Sequence, residues 1–175
     1  MKHSPRALPR SFRIDEKALD VLQEEARRRH VNPSSMLNQF VVAYAEYGRF
    51  AEQMEAVSMS RQTFLEVLNA TTDEALARAA RQAGRNAVPA YVGTMRGPLT
   101  LETLRDLMEV LSKHAHLFQF NEIQDNFGSH WTLIHELGPK WSLFLANYIG
   151  EALALTKVPE HHEVSERSVI FWINS

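Results

Sequence analysis

Apolar residues make up 45% of this chain but never run together for long, the longest uninterrupted stretch being the six residues from Phe40 to Ala45. That is far below the ~20 residues that span a bilayer, so no transmembrane helix is expected. Each apolar side chain must therefore find its partners through an amphipathic element. The spacing of those side chains shifts in character along the chain. Up to about residue 115 they recur at steps of three and four, the period of a helix, and from Leu117 they begin to alternate, the period of a strand. A helical first part and an α+β last part follow, in 175 residues that allow one domain or two small ones.

At the N-terminal end, Ser11, Phe12, Arg13 and Ile14 alternate polar and apolar, which predicts a very short strand with Phe12 and Ile14 on one face. Asp15 reads as the N-cap of a helix over about 15–29 that carries Leu19, Leu22 and Ala26 and ends in Arg27-Arg28-Arg29, a basic end that complements the helix dipole. The turn His30-Val31-Asn32-Pro33 supplies a second cap and a proline suited to the first helical position. The helix that follows presents Met36, Leu37, Phe40, Val41, Tyr44 and Tyr47, with Gly48 as a stop or kink. The formal charge of -2 hides a split, because residues 1–50 hold nine Lys and Arg against six acids, a net of +3, and residues 51–175 hold ten against fifteen, a net of -5. A basic N-terminal arm containing Lys2, Arg6, Arg10 and Arg13 and no acid points to a polyanionic partner. A strand and two helices in roughly 45 residues cannot bury their own apolar faces. A second copy, pairing strand to strand, would place Phe12 and Ile14 in a shared core with Leu19, Leu22, Leu37 and Phe40, and project Pro9, Ser11 and Arg13 from the other side.

These residues resemble a known family. The run Ser11-Phe12-Arg13-Ile14-Asp15, the helix with Leu19, Leu22 and Ala26, and Asn32-Pro33-Ser34-Ser35-Met36-Leu37 leading into a helix that reaches Tyr44 look like the ribbon-helix-helix DNA-binding family of the Arc, MetJ and CopG repressors. The likeness covers residues 8–48. It implies a dimer whose two-stranded ribbon enters the major groove of double-stranded DNA. By position, Ser11 and Arg13 would face base edges, Arg10 would reach a phosphate, and the start of the second helix, with Asn32, Ser34 and Ser35, would clamp another. Where the family often has a glycine at the end of the first helix, this chain has His30, a residue that tolerates the left-handed conformation better than most.

Further along, Phe50, Met54 and Val57 keep a helical spacing, Ser60 caps a helix through Leu68, and Thr72 opens another that is expected to end near Gly84. Arg85 to Pro98, with two prolines and two glycines, reads as a loop or irregular strand, and Thr100 caps a helix with Leu101, Leu104, Leu107, Met108 and Leu111. Phe118 and Phe120, a turn at Asn126-Phe127-Gly128, and His130 to Glu136 predict a hairpin; Gly138-Pro139 starts a helix with Trp141, Phe144, Leu145, Tyr148 and Ile149; Val169 to Ile173 is a final apolar strand. The organisation expected is a DNA-binding ribbon-helix-helix domain over 1–50, a helical connecting region over 51–98 and an α+β oligomerisation or effector domain over 99–175. The boundary after the first falls between Gly48 and Ser60.

Zero cysteines exclude disulfides, thiolate metal sites and Cys nucleophiles. Eight histidines remain, among them the pair His114 and His116, His130 and His135 of opposite parity, and His161-His162 in an expected loop. The overall plan is similar to nickel-responsive ribbon-helix-helix regulators, but their site includes a Cys ligand that this chain lacks. No cofactor is expected and no metal site assigned, the histidines reading as core and surface residues. His135-Glu136-Leu137-Gly138-Pro139 begins like a zincin helix but has Pro139 where the second His belongs. With no glycine-rich phosphate loop and no nucleophile elbow, an enzyme has no supporting constellation. His135 and Lys140, flanking the start of the Gly138-Pro139 helix, mark a possible site for a small anionic effector, against a plainer reading in which His135 is satisfied by a neighbour and Lys140 is solvated. Trp131, Trp141, Phe144, Phe171 and Trp172 are expected in the core.

The expectation is therefore a cytoplasmic, sequence-specific transcription regulator, a repressor-like homodimer or higher oligomer acting on double-stranded DNA, with no secretory signal. The alternative is an antitoxin-type interaction module that binds DNA through the same dimer while its acidic remainder neutralises a partner.

Overall fold

A computed structural model describes residues 10–125 and 128–174. The chain divides into two compact units, one ending at Ala45 and the other beginning at Glu46.

In the first unit, α1 (Glu16–Arg28) starts where Asp15 accepts the Ala18 N–H at 3.1 Å, and α2 (Pro33–Ala43) starts where Asn32 accepts that of Ser34 at 2.8 Å. His30 joins them with φ 55, the left-handed turn expected there. The expected ribbon-helix-helix is overturned at its first element: residues 10–14 form no strand. A strand exists only through the hydrogen bonds of a neighbour, and no other segment described in this unit supplies them. Phe12 is consequently 75% exposed and Ile14 40%, instead of sharing a core with Phe40, itself 51% exposed.

A five-residue π turn (Tyr44–Gly48) follows α2 and leads into α3 (Arg49–Gln53) at the start of the second unit. Val57, expected to continue that helix, is exposed beyond its end. Three further helices each begin on a side-chain cap. Ser60 opens α4 (Arg61–Ala70), Thr72 opens α5 (Asp73–Met95), and Thr100, in a reciprocal capping box with Thr103, opens α6 (Leu101–His114). The expected stop at Gly84 and loop over 85–98 give way to helix through Met95. Leu76, Ala80, Gly84, Val88 and Val92 are all buried at steps of four, and this ridge carries the helix past Gly84 and Pro89.

The sheet is antiparallel, in the order β1 (Gln119–Asp125), β2 (Gly128–Ile134), β4 (Ser168–Ile173), β3 (Glu160–Val164). Of the expected hairpin turn, Asn126 and Phe127 lie outside the described residues. The strand β3 replaces the loop expected around His161-His162. Between β2 and β3 runs α7 (Pro139–Leu155), entered through Gly138 at φ 78. Trp131, Leu133, Val169, Phe171 and Ile173 point to the buried face of the sheet, and Trp141, Leu145, Ile149 and Leu153 form the matching ridge of α7. α5 packs on α7 so closely that a Cβ on Gly84 would collide with the Tyr148 carbonyl. The expected α+β arrangement of the last part is therefore observed, whereas Trp172 is only partly buried, on the opposite face of the sheet. No helix among the described residues is long and apolar enough to cross a membrane.

Candidate functional site

In the first unit, Lys2 and Arg6 lie outside the described residues. Arg10, Ser11 and Arg13 are exposed in the segment before α1, which has no regular structure, so their side chains face water. At the start of α2, Ser34 and Ser35 are also exposed, but the Asn32 side chain is engaged in capping, which leaves its oxygen committed to the Ser34 amide. Of the three consecutive arginines, Arg28 and Arg29 reach back to Glu25, at 2.6 and 2.5 Å, and hold its carboxyl at about 2. They serve the end of α1, as a basic helix terminus would.

In the second unit the two residues expected around an anionic ligand each have partners of their own. Lys140 donates to the Asn69 carbonyl at 3.1 Å and to that of Thr71, and lies 3.9 Å from Asp73, tying the start of α7 to the end of α4. His135 is buried, and the plainer reading of it is the one observed: its Nε2 is 2.9 Å from Ser142 Oγ, and its Nδ1 accepts the Leu137 N–H at 3.3 Å. Because Nδ1 accepts, the ring proton sits on Nε2 and is donated to Ser142. A base that activates a serine needs the opposite polarity, accepting the hydroxyl proton at that nitrogen. Burial, with the positive charge of Arg167 adding to it, lowers the His135 pKa and keeps the ring neutral. As arranged, the pair is a buried structural hydrogen bond between the end of β2 and α7.

Sequence reasoning did not single out an open cleft of about 880 Å³ in this unit, lined from the 57–64 and 112–119 segments, the end of β2 and the π turn. His114 ends α6 here, its Nε2 3.0 Å from Glu46 and its ring stacked on Tyr47 with centroids 5.8 Å apart. Lys113 also donates to Glu46, and these two hydrogen bonds lower the Glu46 pKa. Arg61 donates to the Glu136 carbonyl, and the Glu136 carboxylate pairs with Arg167. A spacing pattern could not have found this cleft, because its walls are brought together from four separate stretches of chain.

The remaining histidines are dispersed. His130, Trp172 and His161 lie in one row across the open face of the sheet, His161 stacked on Trp172 at 4.8 Å and His130 edge-on to it at 6.1 Å. His162 points the other way, toward Phe171. No group of three His, Asp or Glu able to hold a metal ion occurs among the described residues. Compared with known proteins, the chain matches no family model, and no curated protein is significantly similar to it.

Proposed function

We propose that the protein is a cytoplasmic, sequence-specific DNA-binding regulator of transcription that works as a homodimer or higher oligomer. The basic N-terminal unit holds double-stranded DNA, and the acidic second unit assembles the oligomer or senses an effector. Arg13, able to pair bidentately with a guanine, and the Ser11 hydroxyl contact base edges; Arg10 and the α2 start at Ser34 and Ser35 contact phosphates. Lys2 and Arg6 extend the same basic arm.

The observation that carries this reading is the coincidence, in one small unit, of an exposed basic arm and an uncovered apolar surface. Arg10, Ser11 and Arg13 precede α1 outside any helix or strand, while Phe12, Phe40 and Val41 are 75, 51 and 59% exposed. Apolar side chains so exposed in so small a unit favour burial against a second copy, and two copies bring two arms to one duplex. The reading needs contact by the arm and no regular strand.

Fluorescence anisotropy with DNA from the protein's own promoter region tests it. Affinity for that fragment is expected to exceed that for scrambled DNA by at least about 10³-fold and to fall steeply between low and physiological salt. Equal affinity for both fragments, or no dependence on salt, would contradict the proposal.

A further inference from the structure

The open cleft has the size of small-molecule sites, which run from about 300 to 1,000 Å³, at about 880 Å³. Its lining combines aromatic and apolar surface, from Phe64, Phe118 and the Tyr47–His114 stack, with the guanidinium of Arg61 and the imidazole of His116. The acids around it are already matched: the Glu136 carboxylate pairs with Arg167, and Glu46 with Lys113 and His114. Arg61 is bonded to a neutral carbonyl and forms no ion pair among the described residues. An arginine without a carboxylate, beside flat apolar walls, is matched by a ligand that has a planar apolar body and one negative charge. A neutral ligand would leave the guanidinium unmatched, and a cation would be repelled by it.

We infer that this cleft binds a small aromatic monocarboxylate, with Arg61 holding the carboxylate, and that binding tightens the π turn Tyr44–Gly48. Tyr47 belongs to both, lining the cleft and lying within the turn. Its neighbour Glu46 is held by Lys113 and His114, so the stack and the ion pairs fix two consecutive residues of the turn to α6. The boundary between the units, at Ala45 and Glu46, falls inside the same turn. π turns are adaptable places in a helical path and recur at functional sites. A ligand against Tyr47 and His114 therefore acts on the turn itself. Its regulatory meaning rests on the DNA-binding reading above; the site itself does not.

Isothermal titration of the full chain with 1-naphthoate and with the uncharged 1-naphthamide tests the site without DNA. One saturable site per chain is expected for naphthoate, with naphthamide at least about tenfold weaker. Arg61→Gln is expected to bring naphthoate down to the naphthamide affinity, and Arg61→Lys to fall between. Should Arg61→Gln fail to fold, the ratio of the two ligands on the unaltered protein decides. No saturable binding of naphthoate, or equal binding of the amide, overturns the site. Hydrogen exchange of the 44–48 amides is expected to slow severalfold when naphthoate is bound, and unchanged exchange there overturns the link to the turn. Failure of the promoter titration, with these results intact, would count against the DNA reading alone.

Discussion

The two units of this chain solve the same problem, burying apolar side chains, to very different degrees. The second encloses Trp131, Phe171, Leu133, Leu145 and Ile149, each at most 2% exposed, between a sheet and two layers of helix. The first buries Ala26 and Met36 and leaves Phe12, Val21, Phe40 and Val41 more than half exposed. The second thus has a core of its own, whereas the first has capped helices without enough surface to cover them. An unfinished apolar surface next to exposed arginines is what the proposed assembly on DNA uses.

Substitutions that strike the core of the second unit should produce the largest effects and sharpen the contrast. Trp131→Ala removes a ring that packs edge-on against Phe120 and donates to Glu122 at 3.0 Å, and should destabilise the second unit by about 3–5 kcal/mol in urea unfolding. A loss below about 1 kcal/mol would mean the core is not where burial puts it. Gly84→Ala comes next. Alanine is the better helix former by about 1 kcal/mol, yet its methyl must push α5 off the Tyr148 carbonyl, so a net loss of about 1–3 kcal/mol is expected. A stabilised variant would show that the helices do not pack so tightly.

In the first unit the same kind of truncation should behave differently. Phe40→Ala should leave the unfolding of the second unit unchanged while weakening the oligomer by about 1–2 kcal/mol, roughly tenfold, in sedimentation equilibrium. An unchanged oligomer would break the contrast, because the exposed surface would then have no partner in itself.

The smallest effect expected is a pH dependence confined to the second unit. His135 is neutral in the folded protein with its pKa lowered by burial and by Arg167, so on acidification the unfolded chain takes up its proton first, near the ordinary value of about 6.5. Stability from this group is therefore full above that pH and drains away as the pH falls through the lowered folded value. His135→Gln should flatten this acid limb in urea unfolding series, and a variant with the same pH dependence as the unaltered protein would rule His135 out as its source.

Much of the fold was legible because the signals were local. Asp15, Asn32, Ser60, Thr72 and Thr100 each cap the helix expected of them. Gly138-Pro139 opens α7, and the alternation from Phe118 marks the hairpin. The helix end expected at Gly84 is overridden because glycine and proline act as breakers only locally, whereas the apolar ridge from Leu76 to Val92 continues through them and packing on α7 prevails. The strand β3 was missed because its Glu-His-His-Glu run has no apolar alternation; it is held as an edge strand by its pairing with β4. The N-terminal strand failed for the converse reason: alternation was present at Ser11–Ile14, but a pairing strand was not. Of the candidate effector site, His135 was placed at a cleft, but Lys140 was drawn away by carbonyls about seventy residues earlier in the chain, at Asn69 and Thr71. That kind of tertiary capping leaves no mark in local spacing.

The difference between the units is tested most directly by the salt dependence of promoter binding in two single variants. Arg13 is exposed in the arm, whereas Arg85 is paired with Glu151 at 2.8 Å in the second unit. Arg13→Ala is expected to weaken promoter binding by about 1–3 kcal/mol and to relax sequence preference, or to reduce the slope of log affinity against log salt by about one if it meets a phosphate. Arg85→Ala is expected to alter neither. Equal behaviour of the two variants, both silent or both weakened, would contradict the assignment of DNA binding to the N-terminal unit.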